Sequence, residues 1–211
     1  MFRICLFFAL VGVLTQPLEA GKYNRDLEIG NQAPAWSKLP GVDDKEHSLT
    51  DLKNKEVVVV AFTCNSCPYS VDYEDRICAF VKEYCGTDSK VALVAINVNK
   101  VEEDALPAMK ERATSKKFLF PYLFDETQKI AFEYGAARTP EFFVLNRDRK
   151  VVYMGAFDDN SVARKVEKNY LEEAVKSTLS GKAIEIAETN PIGCNIRFER
   201  RRRARASTST K

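Results

Sequence analysis

The chain has 211 residues, 45% of them hydrophobic, with 32 Lys and Arg against 30 Asp and Glu for a formal charge of +2. That apolar content builds one well-packed domain, and once the two ends are set aside too little remains for a second. The small net charge hides an uneven distribution: residues 200–211 hold five Arg and one Lys, so the remainder carries about −4, and nothing outside that tail suggests nucleic-acid recognition.

At the N-terminus, Arg3 precedes an apolar run from Ile4 to Leu14, and Leu18-Glu19-Ala20 leads into Gly21. This pattern is that of a secretory signal over residues 1–20 cleaved after Ala20. The run of 11 residues is short of the roughly 20 a membrane span needs. Residues 21–198 then form the expected domain, exported to a periplasmic or extracellular compartment. Val57–Phe62 is a β-branched apolar run that suits a strand covered on both faces. Pro68 to Cys85 follows as an amphipathic helix, with Pro68 in its first turn, Val71, Cys78, Val81 and Cys85 on one stripe, and Gly86 at its end. Val91–Val98 repeats the buried-strand pattern and precedes a helix carrying Ala105, Met109 and Ala113, interrupted early by Pro107. A short strand at Tyr122–Phe124 and a helix over Glu126–Tyr134 come next. Strands at Glu141–Asn146 and Lys150–Met154 are joined by Arg147-Asp148-Arg149, short enough for a hairpin. A last helix is expected from Ser161 to Leu179, ending before Gly181. The tail from residue 199, closing on Ser207-Thr208-Ser209-Thr210, has nothing apolar to pack and reads as a solvated basic segment able to touch an anionic surface.

Removing the signal takes Cys5 and leaves five cysteines, Cys64, Cys67, Cys78, Cys85 and Cys194, a number that cannot pair completely within one chain. Cys64 follows a strand and Cys67 precedes a helical Pro, which puts both thiols at a helix N-terminus. There the partial positive charge and free backbone N–H groups favour a thiolate. Two-residue spacing lets the second thiol attack a mixed disulfide formed by the first, so the pair can cycle. On position alone, Cys64 is the expected attacking thiol and Cys67 the resolving one. A fixed disulfide and half a zinc site are the alternatives, the latter short of ligands because His47 is the sole histidine. No metal and no cofactor is expected. Cys78 and Cys85 lie about 10 Å apart along their helix and cannot bond to each other; both are expected as buried thiols. Cys194 is left with three roles: partner of Cys78 or Cys85, auxiliary thiol of the redox pair, or free.

Four segments in order carry a family resemblance: Gly30-Asn31-Gln32-Ala33-Pro34-Ala35-Trp36, Phe62-Thr63-Cys64-Asn65-Ser66-Cys67-Pro68-Tyr69, Gly135-Ala136-Ala137-Arg138-Thr139-Pro140-Glu141-Phe142-Phe143, and Gly193-Cys194-Asn195-Ile196-Arg197-Phe198. Over about residues 27–198 the chain resembles the redoxin family (alkyl hydroperoxide reductases, thiol-specific antioxidant proteins and exported thioredoxin-like reductases) and its CxxC-bearing, peroxiredoxin-like members. The resemblance implies an α/β thioredoxin-like fold, a central mixed sheet flanked by helices with an extra helical insertion. It also implies a cis-proline at Pro140 that faces the cysteines, with Thr139 and Thr63 lining a substrate groove. The implied activity is that of an oxidoreductase working on a protein or small-molecule disulfide with a separate electron donor or acceptor. The peroxiredoxin pattern P-x-x-x-T-x-x-C is not met: counting back from Cys67 gives Cys64 and Val60, and from Cys64 gives Ala61 and Val57. Thiol-dependent peroxidase activity is therefore the alternative rather than the expectation. A non-catalytic scaffold is a further alternative. Copper chaperones of the same fold resemble the chain, but they use a C-x-x-x-C pair and a late His that it lacks.

Overall fold

The computed structural model describes residues 21–199; the expected signal segment and residues 200–211 lie outside them. In chain order the elements are β1 (Leu39–Pro40), β2 (Glu46–His47), β3 (Val57–Phe62), α1 (Pro68–Tyr84), β4 (Val91–Asn97), α2 (Leu106–Lys116), β5 (Tyr122–Phe124), α3 (Lys129–Glu133), β6 (Arg138–Thr139), β7 (Glu141–Leu145), β8 (Val151–Gly155), α4 (Tyr170–Ser180) and β9 (Cys194–Asn195). Five strands form one sheet in the order β5-β4-β3-β7-β8. β4 runs parallel to both β3 and β5, while β7 is antiparallel to β3 and β8. This is the mixed sheet of a thioredoxin-like fold.

β3 sits at the centre, and all six of its residues are fully buried. Because successive strand side chains point to opposite faces, Val57, Val59 and Ala61 meet Tyr73, Ile77 and Phe80 of α1 and Leu171, Ala174 and Val175 of α4. Val58, Val60 and Phe62 meet Trp36, Leu27, Ile130 and Tyr134 on the other side. Each fully buried Val contributes about 1.5–3 kcal/mol of transfer free energy. A polar residue anywhere in this strand would face a packed layer, which is why the run is continuously apolar rather than alternating.

Four local expectations change. Pro107 does not interrupt α2 but occupies its first turn, where its missing N–H has no intrahelical partner to lose. α3 begins three residues late because Asp125 closes a turn there: its carboxylate accepts from the amides of Thr127 (3.0 Å) and Ile130 (2.8 Å). α4 begins at Tyr170, not Ser161. The intervening segment folds onto α1 instead, with Arg76 donating to the carbonyls of Asn160 (3.0 Å) and Ser161 (2.6 Å) and to the fully buried Asp158 (2.5 Å). Lastly, the buried line of α1 is Tyr73, Ile77, Phe80 and Val81, and Val71, Cys78 and Cys85 lie half-buried at its margin.

Two short pairings have no signal in local sequence. β1 and β2 form a small antiparallel ribbon. β6 and β9 pair antiparallel, Thr139 opposite Cys194 and Arg138 opposite Asn195. That second pairing returns the C-terminal arm across the domain to the end of the sheet where β3 delivers its cysteines.

Candidate active site

Parallel strands β3 and β4 both end at one edge of the sheet, and side chains that follow them share a crevice there. After β3 the chain passes through Thr63 to Cys64, turns at Asn65-Ser66, and enters α1 with Cys67 as its N-cap. Both cysteines are free thiols and both are buried, at 3% exposure each, whereas Pro68 and Tyr69 beside them are exposed. The Thr139-Pro140 bond is cis, and Thr139 lies against both sulfurs. Cys64 Sγ is 3.4 Å from Thr139 Oγ1, and the neutral Cys67 thiol donates to the Thr139 carbonyl at 3.0 Å. Ser66 Oγ lies 3.8 Å from Cys64 Sγ. Thr63 is buried with its amide bonded to the Ile96 carbonyl (3.1 Å), and the hydroxyls that reach Cys64 belong to Ser66 and Thr139 instead.

Cys194, half-buried, sits opposite Thr139 on β9, with its thiol and amide against Cys67. Gly193 permits this approach, since a Cβ at that position would lie 2.3 Å from the Thr139 carbonyl oxygen. The arm is then pinned by Ile196 N–H to the Ala137 carbonyl (2.9 Å), by Arg197 N–H to Asn99 Oδ1 (3.2 Å), and by Gln128, which donates to the Arg197 carbonyl (3.0 Å) and accepts from the Glu199 amide (2.8 Å). Cys78 is 11 residues further along α1 than Cys67, about 16 Å, so Cys194 pairs with neither Cys78 nor Cys85 in this arrangement. Burial raises the Cys78 thiol above its ordinary value and pushes the Cys85 thiol up to about 11.

The electrostatics of the pair are asymmetric. Cys67 is drawn down to about 4, first by the Cys64 thiol and then, against burial, by the Cys194 thiol and the amides of Ser70 and Cys194. Cys64 is pushed up, first by its partner Cys67, then by burial, with the Asp104 carboxylate adding to the effect. Cys67, at the helix N-cap, is thus the more acidic thiol of the pair. In a Cys64→Ala variant the Cys67 midpoint should climb from about 4 towards the ordinary thiol range, because the largest stabilising contact is gone. Thiolate ultraviolet absorbance against pH checks this; an unmoved midpoint would assign the effect to the helix terminus alone. The linkage has a sign as well: Cys67, lowered on folding, adds stability to the reduced protein as pH rises towards the unfolded thiol pKa of about 8.5, and Cys64, raised on folding, takes stability away as pH rises beyond it.

Asp104 is the residue that motif reading missed. It lies just before α2 and is fully buried. One carboxylate oxygen accepts from the amides of Asn65 (2.7 Å) and Ser66 (2.8 Å), and the other from Ser66 Oγ (2.6 Å) and Asn99 Nδ2 (3.2 Å). Asn97 Nδ2 donates to its carbonyl (2.5 Å). Asn65 is held further by Glu103 and by the buried Tyr122 hydroxyl. The turn between the cysteines is thus fastened by a carboxylate, and its amides are occupied. Glu141, also buried, follows Pro140 and accepts from the amides of Ala137 (2.8 Å) and Arg138 (2.9 Å); burial raises it to about 7.

Residues 28–171 match the Redoxin family. The chain belongs to that family. By that membership it is an oxidoreductase. Thiol-disulfide oxidoreductase ResA of Bacillus thuringiensis (strain Al Hakam), and likewise that of Bacillus anthracis, is 26% identical over 156 residues, covering 72% of this redoxin and 84% of the relative. A hypothetical protein of Sinorhizobium meliloti 1021 superposes with a TM-score of 0.77 at 32% identity, covering 84% of this chain and 98% of that one. The fold extends to peroxidoxin BcpB of Mycobacterium tuberculosis, with a TM-score of 0.57 at 18% identity over 74% of this redoxin and 99% of that protein. Among the described residues no group of three or more His, Cys, Asp or Glu is arranged to hold a metal ion.

Proposed function

We propose that this redoxin catalyses thiol–disulfide exchange through Cys64 and Cys67 in an exported compartment, acting on a protein or small-molecule disulfide, with Cys67 as the attacking thiol. The observation that carries this reading is the placement of both thiols at the β3–α1 junction, Cys67 as the helix N-cap and Cys64 3.4 Å from the Thr139 hydroxyl beside the cis Thr139-Pro140 bond. The name of the ResA relatives and the apolar N-terminal segment support it.

Cys67 thiolate attacks one sulfur of the substrate disulfide, forming a mixed disulfide and expelling the other half as a thiolate that takes up a proton. Cys64 then loses its proton and attacks the Cys67 sulfur, closing the Cys64–Cys67 disulfide and releasing the second substrate thiol. Two electrons pass from the pair to the substrate, and a separate dithiol donor restores the pair; run in reverse, the same steps oxidise a substrate. Thr139 and Pro140 form the buried wall of the groove and Tyr69 its exposed rim. An attacking Cys67 reverses the roles expected from sequence order; the asymmetry comes first from the hydrogen bond between the two thiols, with the Asp104 carboxylate and the helix amides adding smaller contributions.

A redox titration of the purified protein in glutathione buffers, with thiol alkylation and mass mapping, tests the reading. A reversible Cys64–Cys67 disulfide together with turnover of insulin disulfides is expected. No reversible disulfide would leave a scaffold, and rapid peroxide consumption with a sulfenic acid on Cys67 would make the protein a peroxidase.

A further inference from the structure

The C-terminal arm carries a thiol that the two-cysteine cycle leaves unused. β9 pairs with β6 so that Cys194 stands opposite Thr139, the same residue whose carbonyl meets Cys67 and whose hydroxyl meets Cys64. Three cysteines, two from the β3–α1 junction and one from the far end of the domain, therefore surround one threonine. Cys194 is half-buried while the other two are almost wholly enclosed. The arm is held there by a set of specific contacts: a glycine needed for close approach, the buried Ile196, and side-chain bonds from Asn99, Arg138 and Gln128. A merely stapled tail would not need its thiol placed against the attacking sulfur.

We infer that Cys194 is a third redox thiol, an alternative disulfide partner of Cys67 that carries the exchange between the enclosed Cys64–Cys67 pair and the surface. The inference rests on the exchange reading above. When Cys67 holds a mixed disulfide with a substrate thiol, Cys194 loses its proton and attacks the Cys67 sulfur. The Cys67–Cys194 disulfide forms, and the substrate leaves as a thiol after taking up a proton. Cys64 then attacks the Cys67 sulfur, forming Cys64–Cys67 and returning Cys194 to the thiol with no net change in electrons. Each step is one thiol exchanged for one disulfide. Cys67 is common to both disulfides because it adjoins both other thiols in the site.

The test uses oxidised glutathione as the probe on four full-length proteins: wild type, Cys64→Ser, Cys194→Ser and Cys64→Ser/Cys194→Ser. Trypsin, cutting after Lys55, Arg76, Lys182 and Arg197, separates Cys67 and Cys194 from Cys78 and Cys85, so each linkage is assigned by mass. In Cys64→Ser, the Cys67–glutathione adduct should decay into a Cys67–Cys194 disulfide at least about tenfold faster than it decays in the double variant. Equal decay in the two, or an adduct that persists in Cys64→Ser with no cross-link, overturns the inference while leaving exchange intact. Wild type and Cys194→Ser should both form Cys64–Cys67. If Cys67 takes no glutathione even in the double variant, the exchange reading itself fails and the third thiol with it.

Discussion

Cys67→Ser is expected to abolish insulin-disulfide reduction, with a fall in turnover of about 100-fold or more, because a serine hydroxyl neither ionises near neutral pH nor displaces a thiolate from a disulfide. The companion variant Cys64→Ser should behave differently. It keeps the nucleophile and still reacts once with substrate, so its defect appears after the mixed disulfide has formed. Comparing the two by single-turnover kinetics and by trapping of the enzyme–substrate adduct separates attack from resolution. The expectation follows from charge. Cys67 is the more acidic thiol first through its hydrogen bond with Cys64 and then through Cys194 and the Ser70 amide, whereas the Asp104 carboxylate adds to the rise at Cys64. Retained single-turnover attack in Cys67→Ser, with none in Cys64→Ser, would restore the order of roles that the bare motif suggests. The same asymmetry bears on direction: a thiolate stabilised in the reduced pair favours accepting electrons, so the potential should lie above that of a dithiol pair without such a thiolate.

Asp104→Ala should cost about 3–5 kcal/mol of stability, which for a domain of this size lowers Tm by roughly 10 °C. The carboxylate accepts four hydrogen bonds, from two amides, a hydroxyl and a side-chain amide, in a site without exposure. Removing it leaves all four donors facing a cavity. Asp104→Asn keeps one carbonyl oxygen but turns an NH2 towards a donor, so an intermediate loss is expected. Thermal unfolding followed by circular dichroism measures both. The alanine variant should also lose catalytic efficiency beyond its stability defect, since the turn that sets the spacing of Cys64 and Cys67 is no longer fastened. A Tm within about 2 °C of wild type would show that water replaces the carboxylate without penalty and that the turn holds its own shape.

Much of the architecture is legible from local pattern. A strand buried on both faces must be apolar throughout, so β3 and β4 announce themselves; a proline in a first turn and a glycine past the last turn mark the ends of helices. Where local pattern misled, a competing hydrogen bond had intervened, long-range in one case and local in another. Residues 161–169 carry Val162, Ala163 and Val166 at helical spacing, but the start of that segment is taken by Arg76 of α1, which shortens α4. The short start of α3 is consumed by the Asp125 turn. The margin position of Cys78 and Cys85 follows from where the sheet lies under α1, which periodicity gives only to within one residue of rotation.

The sequence alone determined that two cysteines would stand at a strand–helix junction and that a proline would open a later strand, in the element order of a thioredoxin-like fold; that this proline faces the cysteines was implied by the family resemblance. The former are local matters of spacing and of what a strand end or helix start requires. How the turn between the two thiols is held and where Cys194 goes were decided only by tertiary structure. Each depends on groups far apart in the chain: Asp104 is 38 residues from Ser66 and the Cys67–Thr139 contact spans 72. An acidic residue before a helix reads as an ordinary N-terminal charge until β4 and α2 fold it beneath the active-site turn, and a cysteine near the end of a chain has no address until a two-residue strand pairs beside Thr139.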